Sequence, residues 1–276
     1  MKKFTWTLFL ALVGLSPHAQ ELYVFSEPAS NMPAHSLSTK LSTSFGQSEN
    51  GERMQRITPE LMFGFNKKFM LHTGLTFSNM TAASMRFESV YLYGKYRFLS
   101  VDDVHRHFRM AAFAEATHSR NRYAFDEVSI AGDRSGVQAG IIATQLINKF
   151  AVSGTVSHTQ AMDRSRFDKV LYTPERNYQS LNYSLSAGLL LLPKEYTSYD
   201  QLNLNIYAEL LGQRTLDRKT YFVDLAPAVQ LIFNSNTKLN LGHRFQLSGN
   251  QWRPMEKSYY VSVEHTFFNA LRKKKR

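Results

Sequence analysis

The sequence predicts an all-β fold: a transmembrane antiparallel up-and-down β-barrel of about 12 strands after a cleaved signal peptide. From residue 37 onward, short segments alternate apolar and polar residues, as strands with one face in lipid do. The connections between these segments are alternately short and long, which is typical of a barrel with short periplasmic turns and long surface loops. The chain also starts with an export-type segment, and no later stretch has the roughly 20 consecutive apolar residues of a membrane helix.

Residues 1–20 are predicted to be a secretory signal peptide. Lys2 and Lys3 supply its positive start, and residues 4–15 form a mostly apolar stretch of the expected length. A retained N-terminal anchor helix is the alternative, but this stretch is too short to span a bilayer comfortably. The segment therefore predicts export from the cytoplasm.

Residues 21–35 follow the signal, and Pro28 and Pro33 make them unfavourable as a helix. We expect this segment either to lie in the periplasm or to enter the barrel lumen, and both alternatives stay open. The barrel is predicted over residues 36–268, followed by a basic periplasmic tail over residues 269–276. No internal repeat or linker interrupts the sequence, so the barrel is predicted to be a single domain.

The first six strands follow from period-two alternation over about eight to ten residues, the pattern of a tilted membrane strand. In the first, Leu37, Leu41 and Phe45 share one face, and polar residues occupy the other. The fifth is less regular because of its alanines. These strands are predicted at residues 37–45, 56–65, 69–77, 87–99, 108–117 and 137–145.

The last six strands show the same alternation. In the ninth, Leu202, Leu204 and Ile206 face one side, whereas asparagine, tyrosine and glutamate residues face the other. The tenth contains Pro227, which cannot donate a ladder hydrogen bond, so we expect a bulge there. These strands are predicted at residues 150–159, 181–191, 202–210, 221–233, 239–247 and 259–267.

The connections fall into two sets. Turns of three or four residues, 66–68, 147–149 and 234–237, join the second strand to the third, the sixth to the seventh and the tenth to the eleventh. About eight to ten residues join the fourth strand to the fifth and the eighth to the ninth. The remaining joins are residues 46–55, 78–86, 118–136, 160–180, 211–220 and 248–258. With an even number of strands, both termini are expected in the periplasm and the long loops at the surface of a Gram-negative outer membrane.

The net charge of +11 is mostly an effect of the chain ends and does not predict nucleic-acid binding. Loss of Lys2 and Lys3 with the signal leaves +9, of which the last five residues supply +5 and the rest of the chain +4. A basic tail on an exported chain favours contact with anionic lipid headgroups. The absence of cysteine excludes disulfides and zinc–thiolate sites, and no cofactor is expected.

The last predicted strand, extended by Phe268, is rich in aromatic residues. Residues 259–268 resemble the aromatic-ended closing strand that the barrel-assembly machinery recognises in outer-membrane proteins. Here eight residues, 269–276, follow the final phenylalanine, which departs from the usual form. The resemblance implies assembly by that machinery, and a barrel in this membrane is expected to contact lipid and lipopolysaccharide.

Two stretches carry a wider resemblance: residues 27–34 (EPASNMPA) and residues 91–99 (YLYGKYRFL). With them, the chain resembles an uncharacterised outer-membrane β-barrel protein family of the Bacteroidota. The resemblance covers most of the mature chain and implies an exported barrel. It brings no substrate and no catalytic residues.

The polar faces of the strands carry the candidate functional residues. The predicted lumen-lining charged residues are Lys40, Glu60, Lys95, Arg97, Arg109, Glu115, Glu209, Asp224, Arg244 and Glu264. Five are basic and five acidic, which favours ion pairs across the lumen, whereas a selective anion pore would show an excess of one sign. Barrels well below roughly 16 strands leave little room once side chains are placed. We therefore favour a narrow or gated conduit over an open general porin.

His105 and His107 are weak candidates for metal binding. They sit in a predicted periplasmic turn that begins with Asp102 and Asp103, and imidazole with carboxylate can hold a transition metal. The spacing is not diagnostic, and a solvated polar turn explains these residues as well. No metal site is therefore predicted.

His118 and His158 raise the hypothesis of a lipid hydrolase, because outer-membrane phospholipases use a Ser–His pair at the lipid-facing rim of a twelve-stranded barrel. The sequence contains no Gly-x-Ser-x-Gly elbow and no phospholipase-type pattern. No catalytic residue and no enzymatic activity are therefore predicted.

The function predicted from the sequence is passive passage of small solutes, or an accessory role in envelope transport. The alternative is a closed structural or adhesive barrel that binds a partner through its surface loops. The two longest loops contain closely mixed positive and negative residues, which suits contact with lipopolysaccharide phosphates, divalent ions or a protein.

Overall fold

The computed structural model describes residues 23–121, 123–162, 176–194, 198 and 200–272, so the predicted signal peptide lies outside the described residues. The strands are β1 Ser36–Gln47, β2 Arg53–Gly64, β3 Phe69–Ser78, β4 Arg86–Asp102, β5 Arg106–Ser119, β6 Ser135–Ile147, β7 Phe150–Met162, β8 Gln179–Leu192, β9 Asn203–Thr215, β10 Tyr221–Phe233, β11 Thr237–Gly249 and β12 Lys257–Phe267. Each pairs antiparallel with its neighbours, and β1 pairs with β12, which closes the barrel. The predicted fold and the count of twelve strands are confirmed.

The alternation of side chains places apolar groups outside and polar groups inside. In β9, exposed Ile206 and Leu210 alternate with buried Tyr207 and Glu209. The same pattern on the other strands makes an outer surface of exposed leucine, valine and phenylalanine, with Leu185 55% exposed. So extensive an apolar surface is unfavourable in water and fits contact with lipid hydrocarbon. Among the described residues, no helix is long and apolar enough to cross a membrane.

The two ends of the barrel differ in their connections. At the end where β1 begins and β12 finishes, here called the terminal end, the turns are residues 65–68, 103–105, 148–149, 193–202 and 234–236. The opposite end, here called the loop end, carries residues 48–52, 79–85, 120–134, 163–178, 216–220 and 250–256. At the terminal end Asn234 and Ser235 both have positive φ (49° and 57°), as tight hairpin turns require.

Two local expectations are wrong. The join between β4 and β5 is residues 103–105, shorter than predicted, because both strands continue past a register shift between Arg97 and Leu99. Pro227 keeps its register with Ala208 of β9, and the irregularity of β10 instead lies between Val223 and Asp224, on the β11 side.

Candidate functional site

Residues 23–35, here called the N-terminal segment, lie inside the lumen. Glu209 of β9, which is 0% exposed, anchors the segment. Its carboxylate accepts hydrogen bonds from the backbone N–H groups of Val24 and Phe25 on Oε1 and of Ser26 on Oε2, each at 2.9 Å. Three N–H donors satisfy a buried carboxylate that would otherwise be costly to desolvate.

A second anchor is Lys95 of β4. Its Nζ donates to Glu27 Oε2 at 3.0 Å and to the carbonyl oxygens of Pro28 and Ser30 at 2.8 and 3.0 Å. All three protons of the ammonium group are thereby used. Burial alone would raise the pKa of Glu27, but Lys95, together with His72 and Lys40, outweighs it and lowers this pKa to about 2.

Apolar contacts complete the seat of the N-terminal segment. Tyr23 and Val24 pack in a cluster that includes Leu146 of β6 and Tyr207 of β9. The Phe25 ring lies where a side chain on residue 242 would be, since a Cβ there would come within 2.6 Å of it. Gly242 therefore makes room for this ring.

Residues 120–134, here called the inner loop, fill part of the lumen near the loop end. Val128 and Ile130 are 2% and 3% exposed. The Val128 N–H donates to Gln213 Oε1 at 2.9 Å, and Gln213 Nε2 donates to the Val128 carbonyl at 3.1 Å. A lumenal side chain of β9 thus pairs with the inner loop as a neighbouring strand would.

Ion pairs hold the inner loop to another loop and to the wall. Arg253, in the loop between β11 and β12, donates from Nη1 and Nη2 to the two oxygens of Asp224 at 2.8 Å, and its Nε lies 3.3 Å from Glu127 Oε2. Arg244 of β11 donates from Nε to the same Asp224 at 2.5 Å. Burial alone would lower the pKa of Arg253, but Glu127 and Asp224 raise it, which keeps the guanidinium charged. Arg56 of β2 pairs in the same way with the inner-loop carboxylate of residue 133.

Space remains in the lumen around these two obstructions. A cavity of about 700 Å³, here called the vestibule, extends from Ser235 and Phe268 at the terminal end to Ser44 and Ser258 near the loop end. Two cavities of about 390 and 350 Å³, here called the loop-side cavities, lie beneath the inner loop and share Tyr93 and Glu115 in their walls. Ser44 and Ser258 line both the vestibule and the larger loop-side cavity.

The ten predicted lumen-lining residues are placed as follows. Most of them form ion pairs: Lys40 lies 3.1 Å from Glu60, Arg109 lies 2.9 Å from Asp102, and Glu264 lies 2.8 Å from Lys238. Lys95 pairs with Glu27, and Asp224 pairs with Arg244 and Arg253. Arg97 lines the vestibule, Glu115 lines the loop-side cavities, and Glu209 holds the N-terminal segment. The charges thus pair mainly with close neighbours or with the N-terminal segment and loops.

Sequence reasoning missed several charged residues of the lumen. Arg56 and Lys238 lie on strand faces that already carried predicted polar residues, so period-two counting could have found them. Glu127, Asp133 and Arg253 lie in loops, where no periodicity predicts the path of the chain.

The histidine candidates do not assemble into reactive sites. His107 lies in β5 with its Nδ1 2.9 Å from Asp102, and within the described ranges no three His, Cys, Asp or Glu side chains are grouped as metal ligands. His118 and His158 are exposed on the outer faces of β5 and β7. Neither one has a hydrogen-bonded serine in the described part of the chain.

No known family model matches the sequence, and no curated protein is similar to it in sequence. Solved structures are similar in fold. The COG4313 outer membrane channel from Pseudomonas putida F1 has 10% identity and a TM-score of 0.57, with 89% of this chain and 100% of that chain covered. The NanC porin has 8% identity, a TM-score of 0.49 and coverage of 83% and 98%. The chain has the fold of an outer-membrane β-barrel.

Proposed function

We propose that the protein is a narrow outer-membrane conduit for small polar solutes, closed at rest by its N-terminal segment. The observation that carries this proposal is the succession of cavities inside the barrel. The vestibule begins at the terminal end, and Ser44 and Ser258 in its wall also border the larger loop-side cavity. In the described part of the chain, the N-terminal segment and the inner loop interrupt the polar lumen.

The contacts of the N-terminal segment support its role as a removable obstruction. Glu209 and Lys95 hold it mainly through backbone N–H and C=O groups. Water can replace such hydrogen bonds, so the net free energy of each is only about 1 kcal/mol, or about 1.5–3 kcal/mol when one partner is charged. Displacement of the segment breaks these contacts but leaves the strand-to-strand hydrogen bonds that close the barrel intact.

The proposed orientation places the terminal end in the periplasm and the loop end at the cell surface. An even number of strands brings both chain ends to the same side, and short turns are typical of the periplasmic side. The N-terminal segment would then close the lumen from within the envelope. An epitope after residue 272 should bind antibody only in permeabilised cells, and labelling of intact cells would reverse this orientation.

Planar-bilayer conductance tests the conduit. We compare the protein with a variant that lacks residues 23–34, and the matched control lacks residues 272–276, which follow β12 in the sequence. The first variant should show discrete openings with several-fold higher conductance, because the vestibule joins the loop-side cavities once the segment is gone. The control should behave like the full protein. A folded variant without residues 23–34 that stays silent would contradict the proposal.

A second candidate function is a closed barrel that binds a partner through its surface loops. The linkage of Arg253 with Asp224 and Glu127 favours it, because these contacts fix two loops against the wall at the loop end. Such a barrel would remain silent in the bilayer experiment even without residues 23–34. The same measurement therefore separates the two functions.

A further inference from the structure

Glu115 of β5 lies where the two loop-side cavities meet. Its carboxylate accepts a long hydrogen bond from Thr117 Oγ1, at 3.4 Å. Within the described part of the chain, no lysine, arginine or histidine nitrogen lies within ion-pair distance of it. A carboxylate inside a barrel is costly to desolvate without a positive partner.

The other lumenal carboxylates have partners. Glu60, Glu264 and Asp224 each pair with a lysine or arginine, at 3.1, 2.8 and 2.5 Å. Glu209 accepts three backbone N–H groups instead. Glu115 therefore differs from the carboxylates around it in lacking a compensating donor of comparable strength.

Tyr93 supplies a second, independent sign of a ligand site. It lies directly opposite Glu115 in the β4–β5 register and lines both loop-side cavities. The residue is only 7% exposed, yet its hydroxyl group has no hydrogen-bond partner. Its ring is held by stacking on Phe113, with centroids 5.4 Å apart. A buried hydroxyl without a partner is unfavourable unless a ligand or a water molecule forms a hydrogen bond with it.

Tyr91 forms the next part of the wall. The side chain extends across β3, and its hydroxyl donates a hydrogen bond to Glu60 Oε2 at 2.5 Å. Glu60 is in turn paired with Lys40. This path passes over Gly74, where a Cβ would come within 2.6 Å of the Tyr91 ring. The glycine and the hydrogen bond together hold the ring in place before any ligand arrives.

We infer that Glu115, Tyr93 and Tyr91 form a binding site for a small organic ammonium ion. The carboxylate supplies the compensating negative charge, the aromatic rings supply cation–π surface, and the free Tyr93 hydroxyl accepts an N–H.

Other ligand classes fit this site less well. A metal ion prefers several oxygen or nitrogen ligands, but Glu60 is already engaged, and across the described ranges no three such side chains are grouped as ligands. A neutral or anionic ligand would leave the carboxylate of Glu115 without compensation. Adjoining cavities of about 390 and 350 Å³ leave room for an ammonium ion with a short carbon chain.

Isothermal titration calorimetry of the folded protein with butylammonium tests the site, with butanol and butyrate as matched neutral and anionic probes. Butylammonium should bind saturably and the other two should not. The variant Glu115→Gln keeps the shape but removes the charge, so the Kd should rise by roughly tenfold or more. The control Glu264→Gln removes a vestibule carboxylate and should leave the Kd unchanged.

A second variant tests the role of the hydroxyl group. Tyr93→Phe keeps the ring but removes the hydroxyl group, so it should weaken the binding of butylammonium by a few-fold. The binding of tetramethylammonium, which has no N–H, should stay unchanged. The inference fails if butylammonium does not bind to verified folded protein, if butanol or butyrate binds equally well, or if Glu115→Gln leaves the Kd unchanged.

This inference goes beyond the proposed conduit and does not require it. Ammonium binding without conductance would support the site and count against the conduit. Conductance of the variant lacking residues 23–34, without ammonium binding, would do the reverse.

Discussion

The two obstructions in the lumen are held in different ways. The N-terminal segment depends mainly on two side chains of the wall, Glu209 and Lys95, which contact its backbone. The inner loop is joined to the barrel at both ends by β5 and β6, and its ion pairs with Arg56 and Arg253 connect it to β2 and to the loop that follows β11. The comparison indicates that the N-terminal segment is the easier of the two to displace.

The walls on the two sides also differ in charge. The vestibule is lined by six basic and three acidic residues: Lys40, Lys67, Arg97, Arg109, Lys238 and Arg244, with Glu27, Asp102 and Glu264. The loop-side cavities are lined by five acidic and three basic residues: Glu27, Glu60, Glu115, Glu127 and Asp133, with Arg56, Arg244 and Arg253. A lumen that looks balanced in sequence is therefore divided along its axis, with the basic residues in excess around the vestibule and the acidic residues in excess around the loop-side cavities.

The largest effect is expected at the loop-end ion pairs. Asp224→Ala removes the shared acceptor of Arg244 and Arg253, which leaves two guanidinium groups short of a partner. We expect the free energy of unfolding in lipid vesicles to fall by about 3 kcal/mol. Guanidinium-induced unfolding, followed by the fluorescence of Trp252, measures it.

The exposed carboxylate of Glu256 offers a control for this prediction, since Glu256→Gln should change the unfolding free energy by less than about 0.5 kcal/mol. Equal effects of the two substitutions would contradict a stabilising role of the ion pairs that Asp224 forms with Arg244 and Arg253.

A smaller effect is expected at the N-terminal segment. Lys95→Met removes three hydrogen bonds to residues 27–30 and leaves the barrel wall intact. Because the natural chain has no cysteine, Ser26→Cys gives a single thiol whose labelling by a maleimide reports exposure of the segment. Lys95→Met should increase the labelling rate by roughly tenfold or more, because loss of even one charge-assisted hydrogen bond makes exposure of the segment that much more frequent.

Lys67→Met is the matched control for that experiment, because Lys67 is an exposed vestibule lysine whose side chain is not among the anchors of the segment. The protein with Ser26→Cys and Lys67→Met should be labelled at the same rate as the protein with Ser26→Cys alone. If both substitutions speed labelling alike, general loss of positive charge, and not the Lys95 anchor, governs the segment.

The smallest effect concerns pH. The pKa of Glu27 is lowered from 4.5 to about 2, so its stabilising contribution is complete above pH 4.5 and is lost as the pH falls toward 2. Its side chain is 42% exposed, so water screens the pair with Lys95 and limits the contribution to about 1 kcal/mol. The difference in unfolding free energy between the protein and Glu27→Gln should shrink to zero between pH 4.5 and pH 2. A difference that stays constant across this range would contradict the role of the ionised carboxylate.

The sequence predicted the strands well because lipid and lumen impose opposite polarity on successive residues. Alternation such as Leu204 to Leu210 leaves one register that puts all apolar side chains in lipid. The β4–β5 join was overestimated because residues 100–102 and 106–107 extend the strands beyond the apolar band, where alternation gives no signal.

The candidate site was less predictable. The lumenal faces of β4 and β5 could be assigned from the sequence, which places Tyr93 and Glu115 on the same side of the wall. Their lack of partners could not be predicted from the sequence, because it depends on where the N-terminal segment and the inner loop lie. Arg253 and Glu127 show the same limit, since their pairing joins loops that are far apart in the chain.

The pairing of Leu37 with Phe267 joins residues from opposite ends of the barrel sequence. Contacts of such high sequence separation form slowly, because most of the chain must be ordered before they can be made. Until they form, β1 and β12 each present unsatisfied backbone groups that can pair with another molecule. A polypeptide truncated before β12 would keep two such edges permanently, on β1 and on β11, so aggregation is the expected fate of premature termination.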